Sequence, residues 1–369
     1  MGNLKAQDER FLRLAIAEAV KGRGHTAPNP AVGAVIVKGG KILGAGWHKK
    51  AGAPHAEIEA LRSLKSHGAA RGATIYITLE PCSTHGKTPP CTEAIVQAGI
   101  VRVVYGATDP NPRHAGRARH LLEKSKISVT PGILEKDCAA INEAWNVWIA
   151  KKRPLVIAKA GMSLDGRITS PPGQRWITSK ESRADAMQLR STCDAILVGG
   201  ETVRVDNPKL TVRGIPGARQ PLRAVWTRSG TLPPEAHLFT DRHKNRTRIF
   251  QGVSLREALR QLAQEGVQSV LIEGGGRTLG EAFDRKVVDR VVFYVAPVIF
   301  GGGTPAVGGR GAASPELGGM LEEVDYRCVG PDIRISGRVR PAGPTSKADV
   351  PTPAKKSRRV AGSPGKNHK

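Results

Sequence analysis

His55-Ala56-Glu57 begins the motif that predicts the chemistry of this chain. Pro81-Cys82 and then Cys91 complete that motif. One histidine and two cysteines offer three ligands that suit a zinc ion. Catalytic zinc sites use three protein ligands and leave the fourth position open for water, whereas structural sites close all four. Glu57 is not required as a ligand and is free to move protons. The pattern therefore predicts a catalytic zinc site with Glu57 as its catalytic residue.

The residues around this stretch predict secondary structure that suits the ligands. Residues 57–61 continue as a helix, residues 74–79 read as a β-branched strand, and residues 92–96 open another helix. His55 and Cys91 would then lie at helix N-termini, where the positive end of the helix dipole favours thiolate and hydroxide. Each residue alone could be an ordinary buried thiol or a surface histidine, but the ordered set favours zinc.

The order of these residues matches the H-x-E…P-C-x-x-C signature of zinc-dependent nucleobase deaminases, with eight residues instead of two between the cysteines. Zinc lowers the pKa of a bound water from about 16 to about 7. Glu57 can accept that proton and later transfer it to a leaving amine. The expected chemistry is hydrolytic loss of ammonia from an amidine-like ring carbon.

Three further residues are candidates for contact with the substrate of this site. Lys87, in the loop between the cysteines, places a cation that would suit a 5′-phosphate. Asn29 and His48 flank the expected pocket and offer hydrogen bonds to a base. Each also has a plain structural explanation, as a solvated loop lysine, a turn residue and a strand-end surface histidine.

The chain of 369 residues is long enough for two domains with separate cores. Alternating strands and helices in the first half predict a sheet with helices on both faces, and the second half continues an α/β series. The run Lys151-Lys152-Arg153-Pro154 marks the boundary that we choose. We expect domains at 1–150 and 151–340, with a single helix over about 136–150 before the boundary. Residues 341–369 lack apolar periodicity and predict a disordered basic tail.

The composition limits the function classes. Five cysteines without a regular framework argue against a secreted disulfide scaffold, and Cys138, Cys193 and Cys328 are expected in the core. The chain has no apolar run of membrane-span length and no signal peptide at its start, so we expect a cytoplasmic protein without a membrane partner. The net charge of +25 suits nucleic acid, phosphorylated substrates or a phosphate-bearing cofactor. Aromatic residues at 4% are few for base stacking, which makes nucleic acid the weaker expectation.

The second half has glycine turns at strand ends but no G-x-G-x-x-G dinucleotide fingerprint. Gly199-Gly200 follows one strand, and Glu273-Gly274-Gly275-Gly276 follows another and opens a helix. Backbone N–H groups at such a helix start can bind an anion, although tight loops use the same glycines. Arg190, Arg204 and Arg213 could clamp a phosphate, each being a weak signal alone.

The whole pattern resembles the bifunctional deaminase/reductase family of riboflavin biosynthesis over about residues 8–340. The motifs that carry this resemblance in the first half are Thr26-Ala27-Pro28-Asn29-Pro30, His55-Ala56-Glu57, the segment 78–91 with its Thr-Pro-Pro loop, and Asp109-Pro110-Asn111-Pro112. Those in the second half are Ser163-Leu164-Asp165-Gly166, Trp176-Ile177-Thr178, Thr202, the segment 206–213 and Glu273-Gly274-Gly275. The resemblance implies a three-layer α/β/α cytidine-deaminase-like domain followed by a dihydrofolate-reductase-like α/β domain.

The resemblance also implies two consecutive reactions on a phosphorylated pyrimidine. The first removes the 2-amino group of 2,5-diamino-6-(5-phosphoribosylamino)pyrimidin-4(3H)-one, and the second uses NADPH to reduce the ribosyl group to ribityl. Zinc would be held by His55, Cys82 and Cys91, with Glu57 as the proton shuttle. The implied NADPH contacts are Ala160, Trp176, Thr202, Asp206, Arg228, Gly275 and Gly276. The implied substrate contacts are Asn29, His48 and Lys87 in the first half, and Gln174, Arg190, Leu210, Arg213 and Glu273 in the second.

Several positions depart from the family pattern. Gln174 replaces the Ser that the family often has two residues before the Trp, and Thr227 and Arg228 replace a common Asp-Ser pair. Asn207 replaces the second Asp of an Asp-Asp-Pro sequence, and Gly116-Arg117-Ala118 replaces a Gly-Lys-Gly. An arginine at position 228 is compatible with recognition of the cofactor 2′-phosphate.

Two alternative functions stay open at this point. The basic charge would also suit a nucleic-acid-binding base deaminase with a non-catalytic second domain, although the long inter-cysteine loop and Lys87 count against it. A metal-stabilised binding module without turnover is the other alternative, and Glu57 counts against it because structure alone does not require this carboxylate. We expect a homo-oligomer in every case.

Overall fold

A computed structural model describes residues 2–66, 68–84, 89–112, 114–169, 176–314 and 317–340, without the side chains of the first two of these residues. Lys87, Gln174 and the tail at 341–369, with its predicted disorder, lie outside the described residues. None of the helices in the described ranges is long and apolar enough to cross a membrane. The described chain forms two sheets, one in each half.

The first half forms a five-stranded sheet in the order β2-β1-β3-β4-β5, with β1 antiparallel to both of its neighbours and the other pairs parallel. One face packs against α2, α3 and α4 through Ala60, Ile95 and Leu122, and the other against α1, α5 and α6. This confirms the three-layer prediction. The elements are α1 (Gly2–Val20), β1 (Gly33–Lys38), β2 (Lys41–Trp47), α2 (Ala56–Arg62), β3 (Thr74–Leu79), α3 (Cys91–Gln97), β4 (Arg102–Ala107), α4 (Arg117–Lys124), β5 (Ser128–Thr130), α5 (Glu135–Ile141) and α6 (Glu143–Lys151).

The second half forms an eight-stranded sheet in the order β12-β13-β11-β6-β10-β7-β8-β9. The six strands from β11 to β9 are parallel, and β13 and β12 add an antiparallel edge. α10 and α11 cover one face, while α6, α7 and α9 pack on the other. The elements are β6 (Leu155–Ser163), α7 (Lys180–Ser191), β7 (Ala195–Gly199), α8 (Gly200–Asp206), β8 (Leu222–Thr227), α9 (His237–Thr240), a 3-10 turn (Lys244–Arg246), β9 (Thr247–Gln251), α10 (Leu255–Gln264), β10 (Ser269–Ile272), α11 (Gly276–Asp284), β11 (Arg290–Ala296), β12 (Leu321–Val329) and β13 (Asp332–Val339).

Two expectations about local structure are wrong. The predicted helix over 136–150 is two helices, because Asn142 leaves helical geometry and its side-chain amide exchanges two 2.8 Å hydrogen bonds with the backbone of Ala31. Cys328 is exposed rather than in the core, because β12 is an edge strand whose faces are largely uncovered. Cys138 and Cys193 are buried as expected.

Glycine in β2 lets α2 approach the sheet closely. A Cβ atom on Gly46 would lie 2.4 Å from the backbone nitrogen of Ala60 in α2, and one on Gly44 would lie 2.7 Å from the Ala60 carbonyl oxygen. A side chain at either position would push the helix away. The two glycines thus set the position of α2, whose first turn carries Glu57.

The two halves contact each other through α6 and the loop after α1. Trp148 donates its indole N–H to the Ala263 carbonyl at 3.0 Å, and Gln268 donates to the Pro28 carbonyl at 2.5 Å. A cavity of about 630 Å³ lies between the halves, lined by Asn29 and by the amino ends of β6, β7 and β10. The first half therefore faces the amino-terminal edge of the second sheet. The carboxyl ends of the parallel strands of that sheet lie on the side away from the first half.

Asp8 joins α1 to two strands of the first sheet. Its buried carboxylate accepts a hydrogen bond from the Tyr76 hydroxyl at 3.0 Å and two from the Arg102 guanidinium at 2.8 and 2.7 Å.

Removing one partner of such a pair leaves the other desolvated and unpaired. We expect Asp8→Ala to lower the free energy of unfolding of the first half by about 3 kcal/mol, measured by urea unfolding with hydrogen exchange of β3 and β4 as the readout.

Asp137→Ala is the matched control for this change. Asp137 pairs with Arg13 at 3.7 Å, and both side chains are more than half exposed. An exposed pair of this kind contributes less than about 1 kcal/mol. Equal losses in the two variants would contradict the assignment of a stabilising role to the buried pair.

Candidate active sites

Three elements bring the predicted zinc ligands together. His55 is the N-cap residue of α2, Cys91 is the first residue of α3, and Cys82 follows the carboxyl end of β3. The His55 Nδ1 atom lies 3.5 Å from Cys82 Sγ and 3.3 Å from Cys91 Sγ, and the three ligand atoms lie within 4.8 Å of one another. Tetrahedral zinc with N and S ligands places such atoms about 3.6 Å apart. The donor set and its spacing therefore fit zinc with one coordination position left open.

The pKa values of the two cysteines in this cluster are shifted in opposite directions. The pKa of Cys82 is lowered because the Cys91 thiol, His55 and the Cys91 backbone N–H donate to its sulfur, the last at 3.2 Å. The pKa of Cys91 is raised because the sulfur of Cys82 lies beside it and the site is buried. The surroundings of Cys82 therefore favour its thiolate form without a metal. A bound cation would be needed to favour the thiolate form of Cys91.

Glu57 lies in the first turn of α2 and is buried, with 3% of its surface exposed. Burial, followed by the nearby charge of Cys82, raises the pKa of its carboxyl group to about 7. A carboxyl group with a pKa near neutrality can both accept and release a proton. This environment suits the shuttle role that we predict for Glu57.

Asn29 and His48 form a hydrogen-bonded chain beside the ligands. His48 Nδ1 lies 3.0 Å from the Pro54 carbonyl and therefore carries the proton, which leaves Nε2 to accept from the Asn29 amide at 3.2 Å. The His48 ring lies edge-on to the His55 ring, with centroids 5.4 Å apart. Burial lowers the pKa of His48 and favours this neutral form. His48 is thus buried in the site and is not a surface histidine.

Several residues near the zinc ligands could not be identified as site residues from the sequence. The Thr84 hydroxyl lies 3.3 Å from His114 Nδ1, and the buried carboxylate of Glu80 accepts backbone hydrogen bonds from the loop after β4. Burial raises the pKa of Asp109, which begins that loop. The motif Asp109-Pro110-Asn111-Pro112 pointed to this loop, but spacing alone could not show which side chains it meets.

In the second half, the predicted residues collect at the carboxyl ends of the parallel strands. Arg190 and Glu273 form a buried bidentate ion pair, with Nε–Oε1 at 2.6 Å and Nη2–Oε2 at 2.8 Å. Lys159, which sequence reasoning missed, lies 3.7 Å from the same carboxylate. Although burial acts to raise it, the pKa of Glu273 is lowered to about 2 by Lys159 and Arg190. Glu273 is therefore held ionised between two cations.

The glycine turns form an open corner next to this ion pair. Gly275 is the N-cap of α11, Gly276 is its first residue, and α8 begins at Gly200. A Cβ atom on Gly275 would lie 3.9 Å from the Thr202 hydroxyl, and one on Gly199 would lie 2.5 Å from Thr278 Oγ1. The starts of α8 and α11 thus face one another across the ends of β7 and β10, as an anion site there would require.

The remaining predicted residues surround this corner unevenly. Trp176 is exposed and lies under the Arg183 guanidinium, 4.9 Å from its carbon to the ring centroid. Ala160 is buried in β6, and Leu210 is buried with a positive φ of 48°. Arg213 donates to Thr211, Asp206 ends α8, and the Arg228 side chain is 85% exposed beyond the end of β8.

Comparison with known proteins finds relatives of both halves. Residues 5–107 match the family model for the cytidine and deoxycytidylate deaminase zinc-binding region, and residues 154–334 match the RibD C-terminal domain. The chain is 37% identical over 349 residues to the riboflavin biosynthesis protein RibD of Aquifex aeolicus, covering 89% of this chain and 97% of that protein. It is 34% identical over 366 residues to RibD of Escherichia coli, covering 89% and 98%.

Solved structures give the same result. Acinetobacter baumannii RibD superposes with a TM-score of 0.83 at 32% identity, covering 91% of this chain and all of that one. A diaminohydroxyphosphoribosylaminopyrimidine deaminase/5-amino-6-(5-phosphoribosylamino)uracil reductase from Thermotoga maritima superposes with a TM-score of 0.81 at 34% identity, covering 91% and 99%. With a zinc-ligand cluster in one half, a glycine-lined corner in the other and near full-length relatives throughout, this chain belongs to the RibD family of riboflavin biosynthesis proteins.

Proposed function

We propose that this chain catalyses two consecutive steps of riboflavin biosynthesis with the residues described above. The first half deaminates 2,5-diamino-6-(5-phosphoribosylamino)pyrimidin-4(3H)-one to 5-amino-6-(5-phosphoribosylamino)uracil, and the second reduces the ribosyl group to ribityl with NADPH. The observation that carries the proposal is the His55–Cys82–Cys91 cluster with the buried carboxyl of Glu57 beside it. The match of residues 154–334 to the RibD C-terminal domain favours this function over a base deaminase with a non-catalytic second domain.

In the deamination step, the chain holds the base and moves protons. His55, Cys82 and Cys91 would hold zinc, which would supply the Lewis acidity that makes a water nucleophilic near neutral pH. Glu57 accepts a proton from the water as the C–O bond forms and delivers it to the 2-amino group, which leaves as ammonia when the C–N bond breaks. Asn29, fixed by its hydrogen bond to neutral His48, orients the pyrimidine, and Lys87 meets the phosphate.

Glu57→Gln tests the proton shuttle. The amide keeps the shape of the side chain but cannot carry the proton, so the kcat for ammonia release should fall by about 10²- to 10⁴-fold. Zinc content, measured by atomic absorption, should stay the same because Glu57 is not one of the three ligands. The reductase step, assayed with the deaminated intermediate, should continue at its original rate.

Glu59→Gln is the matched control, since Glu59 lies in the same helical turn but pairs with Lys49 at 2.6 Å. Its ammonia release should stay within about twofold of the original, because Glu59 pairs only with the exposed cations of Lys49 and Arg62 among the described ion pairs. Continued turnover in a zinc-loaded Glu57→Gln variant would contradict the shuttle assignment.

In the reduction step, the parallel strand order supports a cofactor stretched across the sheet. Neighbouring strands β10, β7 and β8 end at Ile272, Gly199 and Thr227, and Glu273, Gly200 and Arg228 follow them directly. β6, beside β10, carries Ala160 three residues before its end at Ser163. Dinucleotides bind outside the carboxyl ends of such strands, with their phosphates at helix N-termini. We place the cofactor phosphates at Thr202, Gly275 and Gly276, and Ala160, Trp176 and Asp206 around the rest of the molecule. NADPH bound there would supply the hydride that forms the new C–H bond at C1′, as the C1′–O4′ ring bond opens and O4′ takes up a proton from water.

The substrate of the reductase lies against the buried ion pair. Arg190 is held by Glu273 and by the Thr211 carbonyl, to which it donates at 3.1 Å. This arrangement fixes the segment that also carries Leu210 and Arg213, whose exposed guanidinium donates to the Thr211 hydroxyl. A guanidinium suits a phosphate because it can donate several hydrogen bonds to it, and we assign Arg213 to the substrate phosphate. Glu273, Leu210 through its backbone, and Gln174 complete the proposed substrate contacts.

Arg228→Ala tests cofactor selectivity. Arg228 follows β8 and, apart from a 3.8 Å ion pair with Glu281, projects into solvent, where it can pair with a 2′-phosphate. Its loss should weaken NADPH binding by about tenfold, equivalent to about 1.4 kcal/mol, and leave NADH binding unchanged. Dissociation constants from isothermal titration calorimetry measure this without turnover.

Arg285→Ala provides the control, because Arg285 pairs with the same Glu281 at 2.8 Å but lies at the far end of α11. It should leave both dissociation constants unchanged. A parallel loss of NADPH and NADH affinity in Arg228→Ala would show that the guanidinium does not read the 2′-phosphate.

We also propose that the chain forms a homo-oligomer through the edge strand β12. β12 is nine residues long and ends the sheet, and it carries Tyr326 with 71% of its surface exposed, next to the exposed Ile333 of β13. An unpaired edge with apolar side chains readily pairs with a second copy.

Light scattering should give a mass above 39.3 kDa for the chain. Tyr326→Lys should shift it toward the monomer, whereas Ile249→Lys, on the opposite edge strand, should not.

A further inference from the structure

Glu80 is a buried carboxylate whose hydrogen bonds all join two parts of the zinc site. It directly follows β3 and has 4% of its surface exposed. Its Oε2 atom accepts from the backbone N–H groups of Asp109 at 3.3 Å and Gly116 at 3.1 Å, and its Oε1 atom accepts from Ala118 at 3.2 Å. An ionised carboxylate is the side-chain group that can accept from several N–H donors at once.

The three donors lie at the two ends of the connection between β4 and α4, which Glu80 therefore holds in place. Asp109 begins the loop that leaves β4, Gly116 ends it, and Ala118 is the second residue of α4. One carboxylate therefore binds backbone groups at both ends of the connection between β4 and α4. It also satisfies an N–H group of the first turn of α4, which has no partner within its own helix. The positive φ of Gly116, 75°, lets the chain turn back toward Glu80.

A second contact ties the middle of the same loop to the zinc-ligand segment. Thr84 Oγ1 lies 3.3 Å from His114 Nδ1. Glu80 and Thr84 lie two residues before and two residues after the ligand Cys82, so the loop is fastened on both sides of the metal position. A loop fastened in this way can hold substrate-positioning groups in one geometry.

We propose that Glu80 is a positioning residue of the deaminase site, which fixes residues 108–112 and 114–116 against the segment 80–84 as a rigid wall of the substrate pocket. The proposal rests on the assignment of deamination to the zinc cluster. Glu80 acts through the loop and not on the reacting atoms, so its loss should affect substrate binding more than chemistry. Thr84 assists by holding His114.

Glu80→Gln is the first test, performed on the full-length, zinc-loaded protein. The amide oxygen can still accept from one side, but its NH₂ group faces N–H donors on the other, so the loop is released. The KM for the diaminopyrimidine substrate should rise about tenfold while kcat for ammonia release changes less than threefold, a split expected when uniform binding is lost. Zinc content and reductase activity should remain unchanged.

Glu123→Gln serves as the matched control, because Glu123 lies on the exposed face of α4 and pairs with Arg119 at 2.8 Å. It should leave both kinetic constants unchanged. An unchanged KM in Glu80→Gln would overturn the proposal, as would a fall in kcat that follows zinc loss with KM constant. An original protein that releases no ammonia would instead overturn the deaminase assignment itself.

Thr84→Val keeps the test decisive if Glu80→Gln does not fold, which loss of reductase activity would reveal. This substitution removes the hydroxyl that faces His114 without leaving a charge unpaired. A severalfold rise in KM would support the loop as the pocket wall, and an unchanged KM would overturn it. Where both variants fold, the double variant should raise KM by less than the product of the single effects, because both residues act on one loop.

Discussion

The meeting of three ligand atoms determines the architecture of the first half. Two thiols and an imidazole within 4.8 Å of one another, with a carboxyl group buried beside them, form a costly arrangement in a protein interior without a cation. The ligands come from two helix starts and a strand end, so the sheet and both helices must be in place before the atoms can meet. The glycines of β2 and the hydrogen bonds of Glu80 and His48 secure that placement.

The second half uses a different physical device for a similar purpose. Its parallel strands deliver backbone N–H groups, rather than soft side-chain donors, to one edge of a sheet. The ion pair of Arg190 and Glu273 fills the centre of that edge, with Lys159 beside it. A buried carboxylate between two cations is a rigid, fully partnered group, which suits a surface against which a charged substrate must be oriented. Both halves therefore surround a small polar centre with a tightly packed apolar frame.

Much of this arrangement could be predicted from the sequence, because local spacing carries the information. The pattern from His55 to Cys91 predicted the cluster of three possible metal ligands, and the strand and two helices predicted around it begin and end within one residue of those observed. The break at Asn142 could not be predicted, since it depends on a partner, Ala31, that is 111 residues away. The roles of Glu80 and Lys159 were hidden for the same reason, and the exposure of Cys328 depends on which strand ends the sheet. Residues that act through distant backbone groups leave no local signal.

The contact between the halves has a consequence for the placement of the reductase corner. The first half docks on the amino-terminal edge of the large sheet, whereas the reductase corner lies at the carboxyl edge. The strands between them advance about 3.3 Å per residue, so the five steps from Leu155 to Ala160 separate the edges by about 17 Å. Within one chain, the length of the parallel strands therefore separates the face on which the first half docks from the reductase corner. Fusion of the two domains guarantees equal numbers of both catalysts.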